Sequence, residues 1–160
     1  MDFGVTVMDV SEPIVEAGPM QQASDSAASS STVLAAARYV ALTTFTRRQT
    51  AKHTPVWPVD VGDGRVGFIT SSQTWKVRRI KDDCRVVLQP SDAKGRPGAD
   101  TVAVPGSGEV VVGEAFEAVR RRVKEKYGYQ LRIIDLVHAV PGRRTGHRND
   151  CAVIVSFGAS

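Results

Sequence analysis

The residues best suited to chemistry lie in one short stretch, residues 70–76, which read TSSQTWK. A strand is predicted to end at Ile69, and a helix is predicted to begin near Thr74. Hydroxyl and free backbone N–H groups at the start of a helix bind anions, and the helix dipole favours them further. Lys76 adds a positive charge in the first turn, with Arg78 or Arg79 one turn later. The stretch therefore predicts an anion site, with an ordinary Ser/Thr helix cap as the alternative.

No other motif in the chain indicates a known reaction. The sequence has no Gly-rich P-loop, no dinucleotide fingerprint, no GxSxG and no HExxH. The histidines at 53, 138 and 147 are far apart, and none has a neighbour at metal-ligand spacing, so no metal site is expected. The residues do not reveal a nucleophile with its base. Side-chain acid–base catalysis is therefore not predicted.

The charge of the chain is unevenly distributed. Residues 1–37 hold five acidic residues and no Lys or Arg, so residues 38–160 hold 21 basic residues against 12 acidic ones, a net charge of +9. Such a domain is expected to meet an anion, which could be nucleic acid, a phosphorylated small molecule or an acidic membrane surface. The basic run RRRVKEK at 120–126 reads as the solvated face of an amphipathic helix, and no aromatic residues interleave it, so nucleic acid is not favoured.

Length and composition are typical of one soluble domain. The chain has 160 residues, no apolar run near the ~20 residues that span a bilayer, and no secretory signal pattern. Cys84 and Cys151 are expected to be buried free thiols in a reducing cytoplasm. Residues 1–32 read as an acidic, low-complexity extension, with a short strand at FGVTV, and residues 33–160 as the domain.

The elements that must position residues 70–76 are mostly strands. Strands are predicted at YVALTTF, KHTPVWPVD, RVGFIT, CRVVLQPSD and CAVIVSFG, with DTVAVPGSGEVVVG as one long bent strand or a hairpin. Helices are predicted at 74–83 and 114–129, the latter ending at Gly128, and a second helix at LRIIDLVHAV. Pro55 and Pro58 place part of their strand at an edge, a bulge or a ligand-facing gap. About six strands indicate a small antiparallel barrel with helices, of the mainly-β or α+β class.

Three segments in this order carry a resemblance to a known family. They are YVALTTFTRRQTAKHTPVWPV, DGRVGFITSSQTWKVRRIKDDCRVVLQPSDAKGRP and EKYGYQLRIIDL. Together they resemble the split β-barrel proteins of the pyridoxamine 5′-phosphate oxidase-like class, over about residues 33–140. The likeness is greatest to the actinobacterial branch of coenzyme F420 (deazaflavin)-dependent reductases. The resemblance implies a six-stranded antiparallel split β-barrel (the FMN-binding split barrel) with a few helices.

The resemblance also implies a cofactor site at the interface of a homodimer. The family element T-x-x-x-[ST]-x-K, which holds the cofactor phosphate, is matched by Thr70, Thr74 and Lys76, whereas Trp75 stands where FMN-dependent oxidases commonly have Arg. The strand before the hairpin turn lies against the ring system in the family. The tail of coenzyme F420 would contact Lys52, Arg78 and Arg79. The cofactor-binding residues implied are His53, Thr54, Pro55, Val56, Trp57, Thr70, Ser71, Ser72, Thr74, Lys76 and Arg79.

The function implied is an oxidoreductase that transfers a hydride between bound coenzyme F420 and a small organic substrate. An FMN-binding oxidoreductase or a cofactor carrier of the same fold is the first alternative. A basic nucleic-acid-binding module is the alternative from another class.

Overall fold

A computed structural model describes residues 19–138 and 148–158, and within these the side chains of 26–128 and 148–158. The elements in chain order are α1 (Pro19–Ala36), β1 (Tyr39–Phe45), β2 (Ala51–Val56), β3 (Val59–Gly62), β4 (Arg65–Thr70), α2 (Trp75–Asp82), β5 (Arg85–Ser91), β6 (Val104–Val111), α3 (Gly113–His138) and β7 (Cys151–Ser156). The predicted strand at FGVTV lies outside the described residues.

All the strands belong to one curled antiparallel sheet, a half-barrel, in the order β2-β1-β5-β6-β7-β4-β3. With three helices this is an α+β fold. The described part of the chain has seven strands, so the expected number of six is wrong. The expected strand KHTPVWPVD is two strands, because Pro58 has no N–H to donate to a ladder. β2 and β3 form opposite edges of the sheet, and residues 57–58 carry the chain from one edge to the other.

The core lies on the two faces of this sheet. One cluster is built around Val40, Leu42, Phe68 and Leu88, against which Ile80 of α2 packs. The second lies between α3 and strands β3, β4 and β7, and its buried members are Val59, Phe116, Val119, Val123, Tyr127 and Ala152. The basic run at 120–126 follows the exposed side of the same helix, which confirms the amphipathic interpretation.

The helices differ from expectation at two places. α3 is one helix of 26 residues instead of two, and Gly128 lies inside it. Glycine does not bar a helix; it costs about 1 kcal/mol relative to alanine. The stretch that was expected to be a low-complexity extension forms helix α1 from Pro19 onward. Near the end of this helix, Ser31 and Leu34 are buried. The expected boundary at residue 33 stays a prediction, although α1 runs across it.

The remaining strand predictions hold, with β6 as one strand in place of a hairpin. Pro105 and Gly106 lie inside β6, where Gly106 lets the strand approach Ser156 closely, since a Cβ there would lie 2.8 Å from the Ser156 carbonyl oxygen. Among the described residues, no helix has the length and apolar character needed to cross a membrane.

The corner between β2 and β3 is held to α3 by hydrogen bonds to backbone carbonyls. The Lys126 ammonium donates to the carbonyl oxygens of Ala37 (2.7 Å) and Pro58 (2.8 Å). The Tyr127 hydroxyl lies 2.9 Å from the same Pro58 oxygen, and the Tyr127 ring stacks on Trp57 with centroids 4.9 Å apart. Burial raises the pKa of Tyr127 above its usual value. These contacts fix where the chain crosses between the edges of the sheet.

Candidate anion site

The predicted anion site is the turn between β4 and α2, and its first residues point inward. Thr70 ends β4, and both Thr70 and Ser71 are buried. The Ser71 carbonyl accepts the Thr74 hydroxyl (2.8 Å) and the Thr74 backbone N–H (3.1 Å). The Ser71 hydroxyl accepts the backbone N–H of Gln73 at 3.3 Å. Residues 71–74 are therefore joined by hydrogen bonds within the turn, and the Thr74 hydroxyl already donates its proton to the Ser71 carbonyl.

Asp150 provides the acceptor for the next donors of the turn. Its carboxylate accepts the Ser72 backbone N–H and the Ser72 hydroxyl, each at 2.6 Å. The Asp150 backbone N–H donates to the Thr70 carbonyl at 3.2 Å. The two hydrogen bonds from Ser72 lower the pKa of Asp150. The turn thus binds a carboxylate of its own chain, which shows that its donors suit an anion.

Lys76 is the cation of the site that lacks a counter-ion. Its side chain is half-buried, and among the described residues it has no hydrogen bond or ion pair. Burial lowers the pKa of Lys76, and the positive charge of Arg79 lowers it further. An anion placed beside Lys76 and Arg79 would relieve both effects, because it offsets lost solvation and like-charge repulsion.

The start of α2 adds uncapped donors beside Lys76. Thr74 has the extended backbone of an N-cap residue, but its side chain makes no capping hydrogen bond, and the first turn contains no acidic residue. Within the described part of the chain, the first N–H groups of the helix therefore have no side-chain acceptor. Trp75, the first residue of α2, is 67% exposed, and the Arg78 guanidinium lies 5.0 Å from its ring centroid. This arrangement can bind an anion.

The second group of predicted residues lies on β2 and beyond it. His53, Thr54 and Pro55 are on the edge strand, where His53 Nδ1 is 2.8 Å from the Thr43 hydroxyl. Val56 is buried, and Trp57 is used in the stack on α3. β2 forms one edge of the sheet, and β4 is one strand in from the other edge. The structure brings residues 70–76 and Arg79 together around one turn and places residues 53–56 on the edge strand β2, with Trp57 directly after it. All these ligand roles stay predictions.

The structure also bears on the metal and cysteine expectations. Within residues 19–138 and 148–158, no three His, Cys, Asp or Glu side chains cluster as a metal site would require. Cys151 is a buried free thiol, as expected, with Sγ 3.5 Å from the Thr70 carbonyl oxygen, and burial raises its pKa. Cys84 is free but exposed, so its predicted burial is wrong. It lies in the short connection between α2 and β5, outside both cores.

Comparison with known proteins places the fold. No protein-family model matches the chain, and no curated protein matches it. Solved structures do match. Atu2129 from Agrobacterium tumefaciens, of unknown function, is 16% identical with a TM-score of 0.59 over 94% of this chain, which spans 58% of that protein. The conserved hypothetical protein Rv2991 from Mycobacterium tuberculosis is 20% identical with a TM-score of 0.56, covering 81% of this chain and 79% of that one.

A third match is HutZ, the heme storage protein from Vibrio cholerae. It is 10% identical, with a TM-score of 0.52 over 81% of this chain and 87% of its own. At these identities the likeness shows the fold alone. The expected antiparallel, barrel-like α+β architecture is confirmed in its coarser form, a curled half-barrel with helices, and it has seven strands in place of six among the described residues.

Proposed function

We propose that the chain is a split-barrel oxidoreductase that uses coenzyme F420, with FMN as the alternative cofactor, to transfer a hydride to or from a small organic substrate. The observation that carries the proposal is Lys76, a half-buried cation that has no counter-ion among the described residues and lies beside the uncapped start of α2. A phosphate group of the cofactor supplies the missing anion. The fold is compatible with this use, since the resemblance in sequence is to cofactor-binding split barrels.

The residues present fit such a cofactor. Lys76, Arg79 and the first N–H groups of α2 would hold the phosphate, and the net charge of +9 over residues 38–160 suits a ligand with an acidic tail. Coenzyme F420 carries a phosphodiester and an oligoglutamate tail. When bound, its ring supplies the hydride chemistry, and the protein supplies orientation and electrostatics. A chain without an identifiable acid–base pair is consistent with that division of roles.

The ring-binding part of the proposal rests on β2 and on a second copy of the chain. Among the described residues, β2 pairs with β1 along one side only, and Pro55 has no N–H to offer a further strand. That free edge suits a planar ring. Because the resemblance implies cofactor sites at the interface of a homodimer, we infer that the turn of one subunit and β2 of the other bind the same cofactor.

Titration of the purified protein with coenzyme F420, followed by deazaflavin fluorescence, tests the proposal. We expect saturable binding with a Kd below the order of tens of micromolar, roughly −7 kcal/mol or better. A panel with FMN, FAD and haem under the same conditions identifies the cofactor class. Absence of binding by both F420 and FMN would overturn the proposal. A Soret band on haem addition without F420 or FMN binding would replace it with haem binding, and duplex affinity that falls steeply with salt would indicate nucleic acid.

A further inference from the structure

The carboxylate of Asp150 occupies part of the turn that is proposed to bind a phosphate. It holds both the backbone N–H and the hydroxyl of Ser72 at 2.6 Å. These are two of the donors that the turn offers before the start of α2. A phosphate bound by Lys76, Arg79 and the first N–H groups of the helix would have this negative carboxylate as a neighbour.

This arrangement discriminates between the two kinds of phosphate ester. A phosphomonoester carries about −1.5 to −2 charges near pH 7 and three terminal oxygens that need donors. A phosphodiester carries a single charge and two terminal oxygens. The monoester would either face the Asp150 carboxylate with nearly twice the charge or displace it, at the cost of both hydrogen bonds to Ser72. The diester can use the donors that remain.

We propose that Asp150 makes this turn selective for a phosphodiester monoanion over a phosphomonoester dianion. The proposal rests on the proposed function, because it takes the turn as the site of the cofactor phosphate. It goes beyond the resemblance in two ways: it gives a role to Asp150, and it states that the site selects its ligand by charge. Like-charge juxtaposition is a common way in which proteins reject a competing ligand.

The expected dependence on pH comes from the ligand, and the diester measured at the same two pH values controls for any change in the protein. The basic side chains on α2 are Lys76, Arg78, Arg79 and Lys81. Asp150 remains ionised because its hydrogen bonds lower its pKa, and Cys151 on β7 remains a thiol because burial raises its pKa. A phosphomonoester loses its second proton near pH 6. The affinity for a monoester should therefore fall as pH rises through 6, whereas the affinity for a diester should stay level.

The test compares two ligands that share one ring. They are a deazariboflavin 5′-phosphate and the methyl ester of the same phosphate, titrated by fluorescence at pH 5.5 and 7.5. At pH 7.5 we expect the unaltered protein to bind the methyl diester about tenfold more tightly than the monoester, and at pH 5.5 about equally. Asp150→Asn keeps the shape and can still accept the Ser72 N–H, so it should remove the preference at pH 7.5. Ser72→Ala keeps the carboxylate and one of its two hydrogen bonds, so it should reduce the preference at pH 7.5 without abolishing it.

Each outcome decides between the proposals. Equal binding of the two esters at pH 7.5, or tighter binding of the monoester, by the unaltered protein overturns the role of Asp150 and leaves the proposed function standing. A preference that survives in Asp150→Asn also overturns it. Failure of both ligands and of coenzyme F420 to bind overturns the proposed function, and the role of Asp150 with it. The pH profile of the unaltered protein decides the matter even if a variant does not fold.

Discussion

Replacement of Lys76 by methionine should weaken cofactor binding and stabilise the free protein. Methionine keeps an unbranched apolar stem in the half-buried position and removes only the ammonium. In the free protein that ammonium is partly desolvated and, among the described residues, has no hydrogen bond or ion pair. In the complex it is proposed to contact a phosphate. The same change therefore has opposite effects on folding and on binding.

The magnitude of the binding effect follows from the kind of contact. A hydrogen bond to a charged group contributes about 1.5–3 kcal/mol. Since about 1.4 kcal/mol is a tenfold change, Lys76→Met should raise the Kd for coenzyme F420 by roughly 10- to 140-fold. The effect on the free energy of unfolding should be small, within about 0.5 kcal/mol as for most substitutions near the surface, and stabilising.

The sign of the pH effect can be stated from the direction of the shift. The pKa of Lys76 is lower in the folded protein than its ordinary value of 10.5, so the folded state disfavours the charged form. That cost is present at neutral pH, falls as pH rises through the folded pKa, and is absent once the unfolded chain has also lost its proton. The stability advantage of Lys76→Met should therefore be largest near pH 7 and shrink as pH approaches 10.5.

The assay is fluorescence titration for Kd and urea unfolding for stability, with Lys124→Met as the matched control. Lys124 is exposed on α3, 48 positions after Lys76 in the sequence. Its replacement by Met changes the net charge by the same amount as Lys76→Met. A control that weakens binding as much as Lys76→Met would show that only total charge matters. A Kd unchanged in Lys76→Met would refute the phosphate role. If Lys76→Met instead lost more than about 0.5 kcal/mol of stability at pH 7, the range expected for most surface substitutions, then Lys76 would not be an unpaired cation in the free protein.

Three further predictions concern the fold. Gly67→Ala should destabilise the protein by about 1–3 kcal/mol in urea unfolding, because its Cβ would lie 2.7 Å from Cγ1 of Val61; a neutral result would mean that β3 can shift freely. Tyr127→Phe should cost about 0.5–1.5 kcal/mol through loss of the hydrogen bond to the Pro58 carbonyl, measured in the same way. Hydrogen bonds from Arg85 lower the pKa of Asp83 to about 2, so Asp83→Asn should be less stable than the unaltered protein at pH 6. That difference should vanish as pH falls from about 4 to 2, and a difference that persists at pH 2 would contradict it.

Much of the fold could be predicted from local patterns. The runs 39–45 and 65–70 have the β-branched and aromatic composition of strands, and both are strands with those bounds. The helix of α3 followed from apolar residues at 116, 119, 123 and 127, all of which are buried. The turn at 70–76 was located because a strand and a helix meet there. These features depend on residues close to one another in sequence.

The features that were missed depend on where strands lie in the sheet. Pro58 was recognised as a break, but the sequence does not say that the chain then crosses to the opposite edge. Gly128 was interpreted as a helix end, although a glycine costs too little to stop a helix that is stabilised by packing of its apolar face. The predicted ring-binding residues 53–57 lie on or directly after β2, which is not paired with β4 in the sheet. In the proposed dimer these residues and the turn of the other subunit bind one cofactor, and the pattern of a single chain does not contain that contact.

Asp150 shows why the character of the site depends on tertiary structure. It is 78 residues from Ser72, and no spacing connects them. The connection comes from the pairing of β4 with β7, which sets Thr70 opposite Cys151 and so brings the residue before β7 to the turn after β4. A helix start rich in hydroxyl groups predicts an anion site from sequence, but its preference among anions depends on which charges the sheet places beside it. If Asp150 sets that preference, Trp75 is not needed to explain a choice between FMN and coenzyme F420.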